Sequence, residues 1–309
     1  MIIHVLGSAA GGGVPQWNCN GRISAAARSG SGEVFARTQS SLTVSADGKR
    51  WVLLNASPDL RHQMAATPAL HPHADGPLRN SGIAAVVLTN ADVDHITGLL
   101  TLREGHAFNV YATSRVLQVL ASNSIFNVLD GEKVCRLPIE MDRWIEVLKP
   151  QDGFGPLDIR PFLVPGKVAL YLEDASAGPG LGTSDGDTVG LEISDGHRRL
   201  HYIPGCARVD DTLRARLAGA ELVFFDGTLF TDDEMIAQGL SQKTGKRMGH
   251  ISMSGPEGSM AALAGLGIKR RVYIHINNSN PVLREGSAER GLVEAAGWQI
   301  AHDGMEITL

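Results

Sequence analysis

Cysteine, long apolar runs and blocks of like charge are the features that this chain has least of. Three cysteines, Cys19, Cys135 and Cys206, occur in 309 residues, and their wide spacing argues against a disulfide framework. No apolar stretch approaches the roughly 18 residues that a membrane-spanning helix needs. The N-terminus has neither a basic start nor an apolar region with a cleavage site, so it does not predict a secretory signal. These absences favour a cytoplasmic protein without a membrane segment.

The charge and composition are those of an ordinary globular protein. The chain has 28 basic and 33 acidic residues, a net charge of −5, and no Lys/Arg-rich run, which argues against nucleic acid as a partner. With 43% hydrophobic residues, it is long enough to bury a large core. Its length would permit two domains, but neither a linker nor a tandem repeat interrupts it. We therefore predict one domain over residues 1–309.

Apolar runs rich in β-branched residues alternate with segments of helical periodicity. The strands are predicted at residues 2–6, 51–55, 83–89, 189–193, 200–204, 221–225 and 271–276. The helices are predicted at residues 113–123, 210–218, 256–266 and 287–296. Residues 152–186 contain many Gly, Pro and Asp residues and predict a long irregular surface segment. Strands interleaved with helices along the whole length indicate an α/β fold with layered sheets.

Residues that can bind metals follow three of the predicted strands. Asp94 and His95 follow the strand at 83–89, Asp226 follows the strand at 221–225, and His275 lies towards the end of the strand at 271–276. His250 belongs to another polar cluster on a predicted loop. Ligands in α/β folds collect where strands end and loops begin. We therefore expect these side chains to converge on one site.

The segment from Asn90 to His95 resembles the metal-binding motif of the metallo-β-lactamase superfamily. That motif reads His-x-His-x-Asp-His after a buried strand; here Asn90 and Asp92 replace its first two histidines, whereas Asp94 and His95 are kept. In two-metal members the lost pair serves one metal, and Asp-His with a late strand-end histidine, here His275, serves the other. The resemblance implies an αββα sandwich, two mixed β-sheets flanked by helices, and metal binding by Asp94, His95 and His275.

The pattern implies a single metal. Gly205 stands where the aspartate that bridges two metals is expected, and the third histidine of the other metal has no match. Two histidines and one carboxylate leave open positions on the ion and suit non-haem Fe(II) chemistry with O₂. The same residues leave zinc open as the ion. Asp92 is expected to face solvent or to support a ligand rather than to bind the metal itself.

An ordered set of short strings along residues 1–309 resembles the pyrroloquinoline quinone (PQQ) biosynthesis protein B family. The strings are GSAAGGG at 7–13, PQWNCN at 15–20, RTQSS at 37–41, NASPD at 55–59, LREG at 102–105, DGT at 226–228, MGH at 248–250 and HINN at 275–278. Many family members have two further cysteines after the one matched by Cys19, which together hold a structural zinc. Gly21 and Ser24 stand at those positions here, so no structural zinc is expected.

The resemblance implies an enzyme of PQQ synthesis, a non-haem iron-dependent oxygenase. Its substrates would be O₂ and a small peptide-derived precursor of linked glutamate and tyrosine, hydroxylated on the tyrosine ring. Other PQQ biosynthesis proteins are expected partners. Asp226, His250 and Arg61 are candidates for moving protons or binding carboxylates. Two alternatives stay open: a zinc hydrolase of metallo-β-lactamase type, and a non-catalytic carrier that takes part in transport of PQQ or its precursor towards the periplasm.

Two further patterns are interpreted as structural. Residues 71–75 spell His-x-His-x-Asp, but they follow no buried strand, contain a proline and are followed by Gly76, which indicates a surface loop. The glycines at 11–13 lack the Gly-Lys-Ser/Thr ending of a phosphate-binding loop. They are expected instead to let the backbone approach the site closely.

Overall fold

The structure, a computed structural model, describes residues 1–149, 155–172 and 186–309. Its strands are β1 (Ile2–Gly7), β2 (Ser41–Ser45), β3 (Trp51–Leu54), β4 (Ile83–Val87), β5 (Phe108–Ala112), β6 (Val134–Pro138), β7 (Ile145–Leu148), β8 (Leu157–Leu163), β9 (Val189–Ser194), β10 (Arg199–Ile203), β11 (Leu222–Asp226), β12 (Arg270–Ile274), β13 (Trp298–Ile300) and β14 (Glu306–Thr308). Its α-helices are α1 (Arg22–Ser29), α2 (Leu60–Ala66), α3 (Val93–Ile96), α4 (Ser114–Ser122), α5 (Asp211–Leu217), α6 (Glu234–Ala237), α7 (Gly245–Met248), α8 (Ser259–Ala262) and α9 (Ala288–Ala295).

The strands form two mixed sheets of seven strands each. The first has the order β14-β1-β2-β3-β4-β5-β6 and the second the order β13-β12-β11-β10-β9-β8-β7. Strands β3 to β6 run parallel to one another, as do β10 to β13. Since parallel strands end at the same edge of a sheet, the loops that follow them lie together. The predicted sandwich of two mixed sheets with flanking helices is confirmed.

Alternate residues of the strands face different apolar layers. In β3, Val52 and Leu54 belong to the core between the two sheets, whereas Trp51 and Leu53 pack with α2 and α4 on the outer face. In β11 of the second sheet, Phe224 likewise belongs to the core between the sheets, whereas Val223 packs on the outer face with α5 and α9. This explains why β3 and β11 are apolar on both faces. Both sheets contribute residues to one core, which supports our proposal that residues 1–309 form one domain.

The structure corrects two predicted elements. The segment 152–186 is not irregular throughout, since its residues 157–163 form β8, which pairs with β7 and β9; Pro161 within it masked the strand pattern. The rest of that prediction falls in part outside the described residues. The predicted helix at 256–266 is only the single turn α8. Gly255 and Gly265 take positive φ angles of 88° and 71°, which a right-handed helix cannot include.

Candidate metal centre

The loops after β4 and β12 bring Asp94, His95 and His275 together. Asp94 and His95 lie in α3, which is separated from the end of β4 by five residues, and His275 follows β12 directly. Asp94 Oδ2 is 3.0 Å from His275 Nε2 and 3.9 Å from His95 Nε2. One ligand atom from each of the three residues lies within 4.8 Å of the others. The sequence prediction placed these three residues in one site, and the structure brings them together.

These residues fit a metal ion. Zinc, for example, binds histidine nitrogen and carboxylate oxygen at about 2.0–2.2 Å, so two atoms on one ion lie roughly 3–4 Å apart. The contacts of Asp94 with both histidines fall in that range. Moreover, His95 Nε2 is buried and has no hydrogen-bond partner among the described residues. A buried nitrogen of this kind is costly unless something binds it.

His95 is oriented by Asn90, which stands where the superfamily motif has its first histidine. The distance from His95 Nδ1 to Asn90 Oδ1 is 2.6 Å. Since an amide oxygen can only accept, Nδ1 carries the proton and Nε2 keeps its lone pair for a metal. The amide of Asn90 in turn donates to Asp92 Oδ2 at 2.8 Å. Asn90 and Asp92 thus support a ligand instead of forming the second metal site.

Thr228 orients His275 in the same way. His275 has a φ of 58°, a left-handed conformation that is rare outside glycine and frequent at functional sites. Its Nδ1 is 2.9 Å from Thr228 Oγ1. The single hydroxyl proton of Thr228 has Asp226 Oδ1 as its nearest acceptor, at 2.7 Å. Thr228 Oγ1 therefore accepts from His275 Nδ1, which turns Nε2 towards Asp94.

Asp226 organises the second half of the site, and with His250 and His275 it also forms a second group whose possible ligand atoms lie within 4.8 Å of one another. Its Oδ1 accepts from the amide and hydroxyl of Thr228. Its Oδ2 accepts from the amide of Cys206 at 2.9 Å and lies 2.7 Å from His250 Nδ1. Asp226 is fully buried, and each of its two oxygens already accepts two hydrogen bonds. His250 Nδ1 must therefore donate, which leaves its Nε2 as a proton acceptor.

The charge of each candidate ligand depends on its burial and on the other two. Burial lowers the pKa of His95 to about 4, so this ring is neutral near pH 7. Burial opposes the charge of Asp94, but His95 and the hydrogen bond with His275 outweigh it and lower its pKa. Burial would also lower the pKa of His275, yet Asp94 raises it. The two opposite shifts favour protonated His275 beside ionised Asp94, and a metal that bound His275 would displace that proton.

The glycine-rich loop after β1 covers the site. Its backbone pairs with the residue after His275, since Ile276 donates to Ser8 O at 3.0 Å and Ala10 donates to Ile276 O at 2.9 Å. A Cβ on Gly11 would lie 3.5 Å from the Asp94 carboxylate. The short distance between Gly11 and Asp94 agrees with the expectation that these glycines let the backbone approach the site.

The role of Arg61 stays a prediction. Its side chain is exposed on α2, and no hydrogen bond or ion pair joins it to the candidate site residues in the described part of the chain. Residues 71–75, which spell His-x-His-x-Asp, are likewise exposed. Near the N-terminus, Gly21 donates its amide to Cys19 Sγ, and Ser24 bonds to Gln16 and Asn278. The expected lack of a structural zinc stays a prediction.

Two supporting residues had no role in the sequence prediction, although both lay in strings that it singled out. Asn90 appeared only as a lost histidine, and Thr228 only as part of the DGT string. Their polar side chains lie within five residues of a predicted site residue, and this proximity is the signal that could have identified them. Their hydrogen-bond partners depend on tertiary contacts that the sequence does not show.

The fold and this cluster define a β-lactamase superfamily domain, which matches residues 50–276. Within it, the chain belongs to the coenzyme PQQ synthesis protein B family. It is 54% identical to the member from Rhodopseudomonas palustris over 311 aligned positions and 53% identical to that from Xanthomonas euvesicatoria over 309, each covering 100% of both chains.

Solved structures agree with this assignment. The crystal structure of Zn²⁺-bound PqqB from Methylobacterium extorquens superposes with a TM-score of 0.95 at 52% identity and covers 100% of both chains. A diphosphatase of the PhnP family gives a TM-score of 0.67 at 21% identity, covering 100% of this chain and 97% of the other. That second likeness shows the fold alone. No helix in the described residues is long and apolar enough to cross a membrane.

Proposed function

We propose that this protein acts in PQQ biosynthesis as a non-haem Fe(II)-dependent oxygenase. Its substrate would be a precursor derived from linked glutamate and tyrosine, which it hydroxylates on the tyrosine ring. The observation that carries the proposal is the cluster of two histidines and one carboxylate, His95, His275 and Asp94. This donor set leaves several positions of an octahedral ion open and is typical of iron oxygenases. The name of the relatives supports the pathway.

The residues around the cluster favour an oxygenase over a two-metal hydrolase. A two-metal hydrolase would need a second set of ligands, yet Asn90 and Asp92 hydrogen-bond to each other. Gly205 lies beside His250, where an added Cβ would be 3.7 Å from its ring, and offers no bridging carboxylate. A single-zinc hydrolase stays a second candidate because a 52% identical relative was solved with Zn²⁺ bound.

The protein's own residues would bind the substrate and move its protons. A bound iron would supply the activation of O₂. One oxygen atom would enter the ring and the other would leave as water, with two electrons from an external reductant. His250, held by Asp226 through Nδ1, would accept the phenol proton at Nε2. The glycine-rich loop over Asp94 would exclude bulk water from that side.

The test is anaerobic reconstitution with Fe(II), an iron count, and O₂ uptake with and without a tyrosine-derived precursor. We expect one iron per chain and O₂ uptake only with precursor. His275→Ala should lose the bound iron because only two ligands remain, whereas the control His302→Ala, at an exposed position, should keep it. Iron bound at full stoichiometry by His275→Ala would refute the site. Zinc-dependent cleavage of esters or phosphodiesters, or tight PQQ binding without turnover, would replace the oxygenase by the hydrolase or the carrier.

A further inference from the structure

The outer face of strands β8, β9 and β10 carries charged side chains, whereas the inner face of β9 is apolar. Leu191 and Ile193 of β9 belong to the core between the sheets, so Glu192 between them faces outwards. Its cross-strand neighbours are Arg160 on β8 and His201 on β10. These three residues form a row across the sheet, and the row lines a cavity of about 620 Å³.

Three arginines surround the one carboxylate of this row. Glu192 is only 3% exposed. Arg160 donates to its Oε2 through Nε at 2.9 Å and also through Nη2. Arg199 donates to its Oε1 at 3.2 Å, and Arg216 Nη1 lies 3.9 Å from Oε2. All four side chains line the cavity, which we call the arginine pocket.

Aromatic rings hold the three guanidinium groups in place. The Cζ atoms of Arg160 and Arg199 lie 4.9 and 5.4 Å from the ring centroid of Trp144. Arg216 Cζ lies 4.5 Å from the ring centroid of Phe162. Stacking on an aromatic face orients the planar guanidinium group. The pocket is therefore largely ordered before a ligand binds, which lowers the entropy that binding would cost.

The arginine pocket has more positive charge than its carboxylates balance. Besides Glu192, the described residues give these arginines one further carboxylate, since Arg216 is bonded to the exposed Asp142. Glu221 also lines the pocket, but it pairs with Arg198 outside the pocket at 2.6 Å. Three guanidinium groups thus share two carboxylates, and one positive charge is left over.

The pocket also has unused hydrogen-bond donors. A guanidinium group has five N–H donors; within the described part of the chain, Arg160 uses two on Glu192 and Arg199 uses one. Burial lowers the pKa of His201 to about 4; Glu192 opposes this shift and the three arginines reinforce it. His201 is therefore neutral near pH 7, and an anion in the pocket would meet the arginines.

The arginine pocket is separate from the candidate metal centre. Arg199 is the first residue of β10, which runs parallel to β11. The metal centre lies at the other end of these parallel strands, where Asp226 ends β11 and His275 follows β12. The residues that line the pocket include neither a candidate ligand nor, among the described residues, a hydrogen-bond partner of one.

We propose that the arginine pocket binds a small anion with two or more negative charges, either a polycarboxylate or a phosphate group. Its oxygens would accept from the unused donors of Arg160, Arg199 and Arg216, because the guanidinium fork matches carboxylate and phosphate geometry. The charges lie around a cavity rather than on a flat surface, which favours a small molecule over an acidic segment of another protein. The proposal does not rest on the proposed function at the metal centre.

The test is calorimetry of the full chain with tricarballylate, inorganic phosphate, acetate and a hexaglutamate peptide at constant ionic strength. We expect one site per chain for tricarballylate or phosphate, and about 10-fold weaker binding of acetate, because it has a single charge. Tighter binding of tricarballylate would identify a polycarboxylate as the ligand, and tighter binding of phosphate would identify a phosphate group. Acetate bound as tightly as both, binding of hexaglutamate alone, or no binding at all would overturn the proposal.

A substitution assigns the binding to this pocket. Arg199→Gln removes a side chain that is 59% exposed, so the unfolding midpoint in urea should not change. The affinity for the tighter anion should fall about 3- to 10-fold, the effect of one charge-assisted hydrogen bond in a partly exposed site. The control Arg143→Gln removes an exposed arginine that pairs with Glu140 at 2.8 Å and should change neither quantity. Wild-type affinity in Arg199→Gln would refute the site.

Metal-free and zinc-loaded protein distinguish this site from the metal centre. Both forms should bind the anion with the same affinity, because the pocket shares no residue with the candidate ligands. Binding that requires zinc would mean that the anion coordinates the metal, and the proposal would fail. Since no step of this test uses iron or O₂, its failure leaves the oxygenase proposal untouched.

Discussion

Thr228 is the residue that joins the two halves of the site. One hydroxyl group contacts His275, His250 and Asp226, and through them it holds both a candidate ligand and a candidate proton acceptor. Groups that orient a metal-binding histidine through its second nitrogen often matter to affinity nearly as much as the ligands do. The hydroxyl of Thr228 should therefore affect metal affinity although Thr228 is not itself a candidate ligand.

Thr228→Val tests this role, since valine keeps the shape and removes the hydroxyl. We expect zinc affinity, measured against a competing chelator, to fall about 10- to 100-fold, because His275 Nδ1 loses its acceptor and the ring its orientation. The matched control is Thr43→Val. The Thr43 hydroxyl is buried without a hydrogen-bond partner in the described part of the chain, so its loss should leave zinc affinity intact. An unchanged affinity in Thr228→Val would show that packing alone orients His275.

The candidate ligands could be chosen from the sequence, whereas the residues that orient them could not. Asp94, His95 and His275 each combine a metal-binding side chain with a position after an apolar run, and both features are visible in one dimension. Arg61 was chosen for its charge and its position beside a family string, and the structure leaves it exposed.

Among the secondary structure elements, α3 and the 3₁₀ helix after it (Thr97–Arg103) determine where Asp94 and His95 lie. The backbone of this helical segment is in direct contact with the backbone of the loop that follows β3. Ala56 donates to His95 O at 2.7 Å, and Gly98 donates to Ala56 O at 2.9 Å. A Cβ on Gly98 would lie 2.2 Å from Ser57 O, a distance that no side chain can accept. The glycine is therefore needed to let this helix dock on the loop after β3.

Gly98→Ala should move α3 away from that loop. We expect the free energy of unfolding to fall by about 1–3 kcal/mol, as for other overpacked sites, and zinc affinity to fall with it, both followed by urea titration with and without zinc. Gly131→Ala is the control, because a Cβ at this position would meet nothing within 4 Å. This variant should keep the free energy of unfolding and the zinc affinity of the wild type. Stability equal to wild type in Gly98→Ala would mean that the helix does not need this contact.

Elements with a strong apolar run were predictable and those without one were not. The strands β1, β3, β4, β11 and β12 have apolar residues on both faces because helices and a second sheet cover them, and each overlaps a predicted strand. Strands β9 and β10 also overlap predicted strands, but only their face towards the first sheet is consistently apolar. Edge strands such as β6, β7 and β14 have exposed residues on one side, so their pattern is weaker. Helix α8 was overestimated because its apolar residues continue beyond the glycines that end it.

At the scale of the whole molecule, the C-terminus completes the sheet that begins with the N-terminus. Strand β14 pairs antiparallel with β1, and Asp303 in the turn before it holds the start of the glycine-rich loop. Both oxygens of Asp303 are used. Oδ1 accepts from the amide and hydroxyl of Ser8, and Oδ2 accepts from those of Thr38, at 2.6–3.0 Å. The loop that covers the metal centre is thus fixed by a residue near the end of the chain.

Asp303→Asn should weaken both the fold and the site. An amide offers one accepting oxygen, so two of the four donors would face an NH₂ group instead of an acceptor. Each unsatisfied donor costs about 1–3 kcal/mol when it is shielded from water, and the unfolding midpoint in urea should fall accordingly, while the exposed control Asp75→Asn should not shift it. Because the same loop lies against Asp94, the variant should also bind zinc more weakly in its folded form. A lower midpoint with wild-type zinc affinity would show instead that the loop stabilises the sandwich without shaping the metal centre.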